Sequence, residues 1–132
     1  MVQGEKSLKA FIVHRPTERV LLLRDADGDR KGEYDFPGGM IKGKGLFFPT
    51  FPSKVNEETG LDIEIVGPFI RPMSWVRMGV TISATAFECL TDSQDVRLSP
   101  KHDRFDWIDP NEYRNYKLMS ALYGVFDEYL NG

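Results

Sequence analysis

The chain has 132 residues, 41% of them hydrophobic, which suits one core and leads us to expect a single domain over 1–132. A net charge of −3 and a pI near 5.4 exclude the basic excess of a general nucleic-acid-binding module, while a nucleotide remains open as a small ligand. One cysteine, Cys89, excludes an internal disulfide framework and a Cys-rich zinc site.

The start, "MVQGEKSLKAF", lacks the long apolar stretch of a signal peptide, and no segment is long enough to span a bilayer; a cytoplasmic protein is the expectation. "LKAFIVHR" is apolar and rich in β-formers, "PTER" reads as a turn, and "RVLLLRD" completes a hairpin. His14, at a strand end, is expected to be structural. "DADGDRKGEY" is polar with two glycines and reads as a surface loop. "SKVNEETG" has helical character and Gly60 is placed to end it. Because proline is tolerated only in the first turn, Pro49 and Pro52 predict a helix start between Thr50 and Ser53. "LDIEIVG" alternates as a strand does, and "RPMSWVRMG" with "VTISATAFECL" predicts a hairpin turning at Met78 and Gly79. Cys89 falls in the second of these strands and reads as a buried, inert thiol. "FDWID" predicts a short last strand. Asp109, Pro110 and Glu112 then look like a capping-box start. Leu118, Leu122, Val125 and Tyr129, with Ala121, recur at helical spacing as the inner face of a helix covering a sheet. The sum is a mixed α/β or α+β domain with a curved sheet and few helices.

Two short stretches gain meaning from their separation. "YDFPGGM" allows a tight turn and close backbone approach to a ligand at Gly38 and Gly39. "NEETGL" places Glu57 and Glu58 side by side near a helix end. From Gly39, the frame through positions 45, 53 and 54 to Leu61 resembles the Nudix signature, Gly-x5-Glu-x7-Arg-Glu-U-x-Glu-Glu-x-Gly-U, where U is a bulky aliphatic residue. Gly39, Val55, Glu57, Glu58, Gly60 and Leu61 match; Gly45, Ser53 and Lys54 stand where the pattern has Glu, Arg and Glu. "LSPKHDRFDWIDPNEY" is similar to a family segment that precedes the last helix, so the resemblance covers nearly the whole chain.

The resemblance implies the Nudix fold, an α+β domain with a mixed curved sheet flanked by helices in an α/β/α sandwich, and hydrolysis of a nucleoside diphosphate linked to another group, with Mg²⁺ or Mn²⁺ activating water and clamping the phosphates. The ion's ligands would come from one helix face, at positions 54, 57 and 58. Glu57 and Glu58 are thus the implied catalytic and metal-binding residues. Lys54 departs from this chemistry, because an ammonium cannot ligate a metal. It lies one helical turn from both acids and reads as a fixed charge in the ion's place. The box holds three lysines (42, 44 and 54) against two glutamates, so weak metal binding is expected.

Three functions stay open from the sequence. In a divergent hydrolase, Glu57 and Glu58 hold one metal, and Asp103, Asp35, Glu33 or His102 is the candidate base. In a non-catalytic nucleotide or anion binder, which needs no cofactor, Gly38 and Gly39 approach the ligand. Lys42, Lys44, Lys54 and Lys101 then contact phosphate directly, and Tyr34 or Phe36 stacks on a base. In a protein-interaction module, "GLFFPTFP" exposes Phe47, Phe48 and Phe51 to a partner or to a second copy in a homodimer; the alternative is that these rings fill internal space.

Overall fold

The computed structural model describes residues 5–41 and 47–132, and the side chains of all of these but 41 and 47–49. The sequence-predicted roles of Lys42, Lys44 and Gly45, and the exposure of Phe47 and Phe48, therefore lie outside the described residues and side chains.

Eight strands form a mixed sheet with the path β3-β2-β1-β7-β5, with β4 also pairing β1, β6 pairing β7 and β8 pairing β2. β1 (Glu5–His14) and β7 (Val80–Thr91) are parallel over ten residue pairs, while the remaining pairings are antiparallel. β2 (Val20–Asp25) returns from the first hairpin, with Val13 opposite Val20. Period-two alternation explains the continuous apolar runs: both faces of these strands are covered. Leu8, Ala10, Ile12, Leu21 and Leu23 face one core, shared with Phe51, Val55 and Leu61. Phe11, Val13, Val20 and Leu22 face the other, shared with Leu122, Val125 and Phe126. One helix thus covers each face, which gives the α/β/α sandwich expected from the sequence.

α1 runs Phe47–Thr59, several residues earlier than the prolines predict. Pro49 falls in the first turn, where its missing N–H costs nothing, and Pro52 stands inside the helix at the cost of one i→i−4 bond. Burial of Phe51 and Val55 against β1 and β2 outweighs that loss. Gly60 ends the helix at φ 75°, with its N–H donating to the Asn56 carbonyl, as expected of a C-cap glycine.

The β6–β7 hairpin turns where predicted: Met78 (φ 51°) and Gly79 (φ 80°) link β6 (Met73–Arg77) to β7. β5 (Glu64–Pro68) starts later than "LDIEIVG" suggests, and β8 (His102–Ile108) is longer than "FDWID" and stops before Asp109. The predicted last helix is divided. Asp109 caps a 3₁₀ helix, Pro110–Asn115, accepting from the Asn111 N–H, and α2 begins only at Leu122. Leu118 lies between them, where it bridges Tyr34 of β3 (Tyr34–Asp35) instead of continuing a helix. Its burial, at 4% exposure, kept the helical pattern without the helix.

Candidate functional site

A cavity of about 980 Å³ opens beside α1, the short β3–β4 connection and the 26–33 loop. It gathers Gly38, Gly39, Lys54, Glu57, Glu58 and Lys101, which the sequence had placed up to 63 positions apart, from Gly38 to Lys101. Ser53 and His102 also line it.

The register of β1 against β4 (Gly38–Ile41) sets the floor: Leu8 is paired with Gly39 and Lys9 with Gly38. Gly38 admits no side chain, since a Cβ there would stand 2.1 Å from the Leu8 carbonyl oxygen. Its N–H donates to Glu58 Oε1 at 2.9 Å. Glu58 is buried, and this bond ties the end of α1 to the sheet. Gly39 leaves room for the chain's own lysine rather than for a ligand alone: a Cβ would sit 3.1 Å from Lys54 Cε and 3.3 Å from Lys54 Cγ. The Lys54 stem therefore lies across the Gly39 backbone, with the ammonium 3.8 Å from Glu57 Oε2.

This arrangement corrects one expectation. Lys54 pairs with Glu57, but among the described residues Glu58 is held by the Gly38 amide and not by that ammonium. The reason is burial: Glu58 turns inward to the strand, whereas Lys54 and Glu57 stay half and mostly exposed. The donor set suits a divalent ion badly. No three His, Cys, Asp or Glu side chains converge on a metal position among the described residues, and a cation already stands beside the exposed acid.

The other candidates separate. Asp103 pairs with Arg24 at 2.8 Å outside the cavity, and that guanidinium holds its carboxyl below the usual range, which makes it a poor base. Glu33 does not line the cavity. Asp35 does, but it is buried against Lys9 at 2.9 Å. His102 lines it too, with Nε2 3.5 Å from Asp25 Oδ1 and with Nδ1 lacking a hydrogen-bond partner among the described residues. Tyr34 cannot stack on a ligand from where it stands: its hydroxyl donates to Asp106, and burial with that bond pushes its pKa up to about 12. The Phe36 ring packs edge-on to Phe11 in the core. Phe51, 3% exposed, packs near Phe87 and is not a docking surface. His14 is structural, with Nδ1 2.8 Å from Thr17 Oγ1. Cys89 is fully buried and its thiol is pushed up to about 12.

The residues at the cavity that went unread in the sequence include Lys9, Arg30 and Trp75, along with Asp25, Asp27 and Asp29. Lys9 did leave a signal, a lone charge inside the apolar run "LKAFIV". Arg30 and Trp75 are brought to it by the 26–33 loop and by β6, which pairs with β7 in the same sheet.

No protein-family model and no curated protein matches the sequence. Solved structures do match. The MutT protein from Methanosarcina mazei superposes with a TM-score of 0.85 at 21% identity, covering 98% of this chain and 95% of that one. The MutT NUDIX hydrolase from Burkholderia pseudomallei gives 0.79 at 18% identity, covering 96% and 98%. This chain has the Nudix fold. The NUDIX domain of Shewanella oneidensis NrtR, solved with ADP-ribose, gives 0.76 at 14% identity over 99% and 89%. In this Nudix fold α1 carries the box residues Lys54, Glu57 and Glu58, and no helix among the described residues is long and apolar enough to cross a membrane.

Proposed function

We propose that this chain is a single-domain, cytoplasmic Nudix-fold protein that takes a nucleotide-like, phosphate-bearing ligand into the cavity. Its metal-dependent pyrophosphate hydrolysis is weak or absent. The observation that carries the reading is the position of Lys54, laid over Gly39 with its ammonium 3.8 Å from Glu57. A +1 charge on that helix face opposes a divalent ion and attracts a phosphate. Lys101, exposed at the cavity rim, adds a second phosphate contact, and Lys42 is assigned a third. Gly38 and Gly39 supply the floor. The ADP-ribose held by the NrtR domain makes an adenine nucleotide a reasonable first ligand to try.

The test screens nucleoside diphosphate sugars, ADP-ribose and dinucleoside polyphosphates with Mg²⁺, with Mn²⁺ and with EDTA. We expect thermal stabilisation by nucleotide in EDTA and little turnover. Fast turnover abolished by Glu57→Gln would overturn the reading in favour of an active hydrolase. Burial of Phe51 removes one of the three aromatic rings on which the protein-interaction reading rested.

A further inference from the structure

The cavity has a second charged centre, built on β1 and the 26–33 loop. Lys9 stands in the middle of a central strand with its side chain 11% exposed. A lysine there is costly unless paired. Asp35 pairs with it, Oδ2 to Nζ at 2.9 Å, but the same oxygen also lies 4.0 Å from Arg30 Nη1. The other oxygen, Oδ1, accepts from the Phe36 N–H at 2.7 Å. One carboxylate thus serves two cations, and the formal charges of the trio sum to +1. Trp75 completes the group, with Lys9 Nζ 5.4 Å and Arg30 Cζ 5.0 Å from its ring centroid. Those cation–π contacts hold both cationic heads without neutralising them.

All four residues line the cavity. The Lys9 ammonium has three N–H groups, and among the described residues it donates a hydrogen bond only to Asp35. Two cations that share one carboxylate and keep spare donors match the needs of a ligand oxyanion, in a cavity also lined by Asp25, Asp27 and Asp29. We propose that Lys9 and Arg30 form an anion subsite for a phosphoryl or carboxylate group of the ligand, distinct from Lys54 and Lys101. This deepens the reading above and rests on it. The two centres are linked through one strand pair, because Lys9 is the cross-strand partner of Gly38, whose N–H holds Glu58. A ligand that uses both carries a phosphate at one end and a second oxyanion at the other.

Matched ligands isolate that second charge. UDP-glucuronate differs from UDP-glucose by a carboxylate, and adenosine 3′,5′-bisphosphate differs from AMP by a phosphoryl group. Calorimetry in EDTA is expected to show the more charged member of at least one pair binding about tenfold tighter, the size of one hydrogen bond to a charged group. The pair that shows it tells carboxylate from phosphoryl. Arg30→Gln, and separately Lys9→Met with Asp35→Asn, should bring that ratio close to one. Arg30 is the less buried and the safer to alter, so loss of folding in the double variant leaves the test intact. Equal binding within both pairs, or a ratio unchanged in Arg30→Gln, would overturn the subsite while leaving the cavity a ligand site. If none of the four ligands bound, the parent reading would fail with it.

Discussion

Replacing Lys54 by glutamate restores a carboxylate at the place where the box pattern has one, and the gain in metal affinity follows from the geometry. The ammonium stands 3.8 Å from Glu57 Oε2 and its side chain is 47% exposed. A divalent ion bound by Glu57 would lie roughly 5 Å from that charge, where a +1 and a +2 charge repel by about 1.7 kcal/mol in bulk water. Half exposure makes the water value the right limit, and physiological salt weakens it by about half again. Charge reversal doubles the effect, so Lys54→Glu should tighten Mn²⁺ by roughly one to two decades. Lys54→Met, which removes one unit instead of two, should deliver about half of that logarithmic gain. Mn²⁺ binding followed by electron paramagnetic resonance on the three proteins measures it directly. Equal affinity in all three would refute the placement of Lys54 beside the ion's position.

Three further outcomes are expected. Asp35→Asn strands two cations in a largely buried setting and should cost about 3–5 kcal/mol in urea unfolding, most of it recovered when Lys9→Met is added. Gly38→Ala drives a methyl into the Leu8 carbonyl and should lower stability by about 1–3 kcal/mol, read as a fall in Tm; a neutral result would contradict the tight β1–β4 pairing. The Cys89 thiol, its pKa raised by burial to about 12, should resist a thiol reagent at pH 8 until the protein is denatured. The sign follows: the folded state favours the neutral thiol, so this contribution to stability is whole below the ordinary thiol value of 9.0 and declines as pH rises toward about 12.

Much of the fold was legible because local pattern and tertiary demand agree in β1, β2, β6 and β7. There, apolar runs met two covered faces and Met78-Gly79 met a turn that needs positive φ. The helix boundaries were less legible. Pro52 is a breaker by propensity, yet it is overruled where Phe51 and Val55 are buried against the sheet. Leu118 keeps a helical interval because it is buried, not because it is helical. The lining of the cavity was legible where it is local to the box, at Gly38, Gly39, Lys54, Glu57 and Glu58. Two things were not. The choice of partner for Glu58, a backbone amide 20 positions away, depends on strand register. The Lys9, Arg30, Asp35 and Trp75 cluster depends on β1, the 26–33 loop, β3 and β6 meeting, and only the stray lysine in an apolar run announced it.

In the proposed reading, one side-chain amine stands where a divalent ion would be expected. Crystals of the unaltered protein soaked in Mn²⁺ and measured at a wavelength where manganese scatters anomalously put it to the test. No anomalous peak is expected beside Glu57 and Glu58, with the Lys54 ammonium still within 4 Å of Glu57 as here. A strong peak bound by both carboxylates, with the lysine displaced from Gly39, would contradict it.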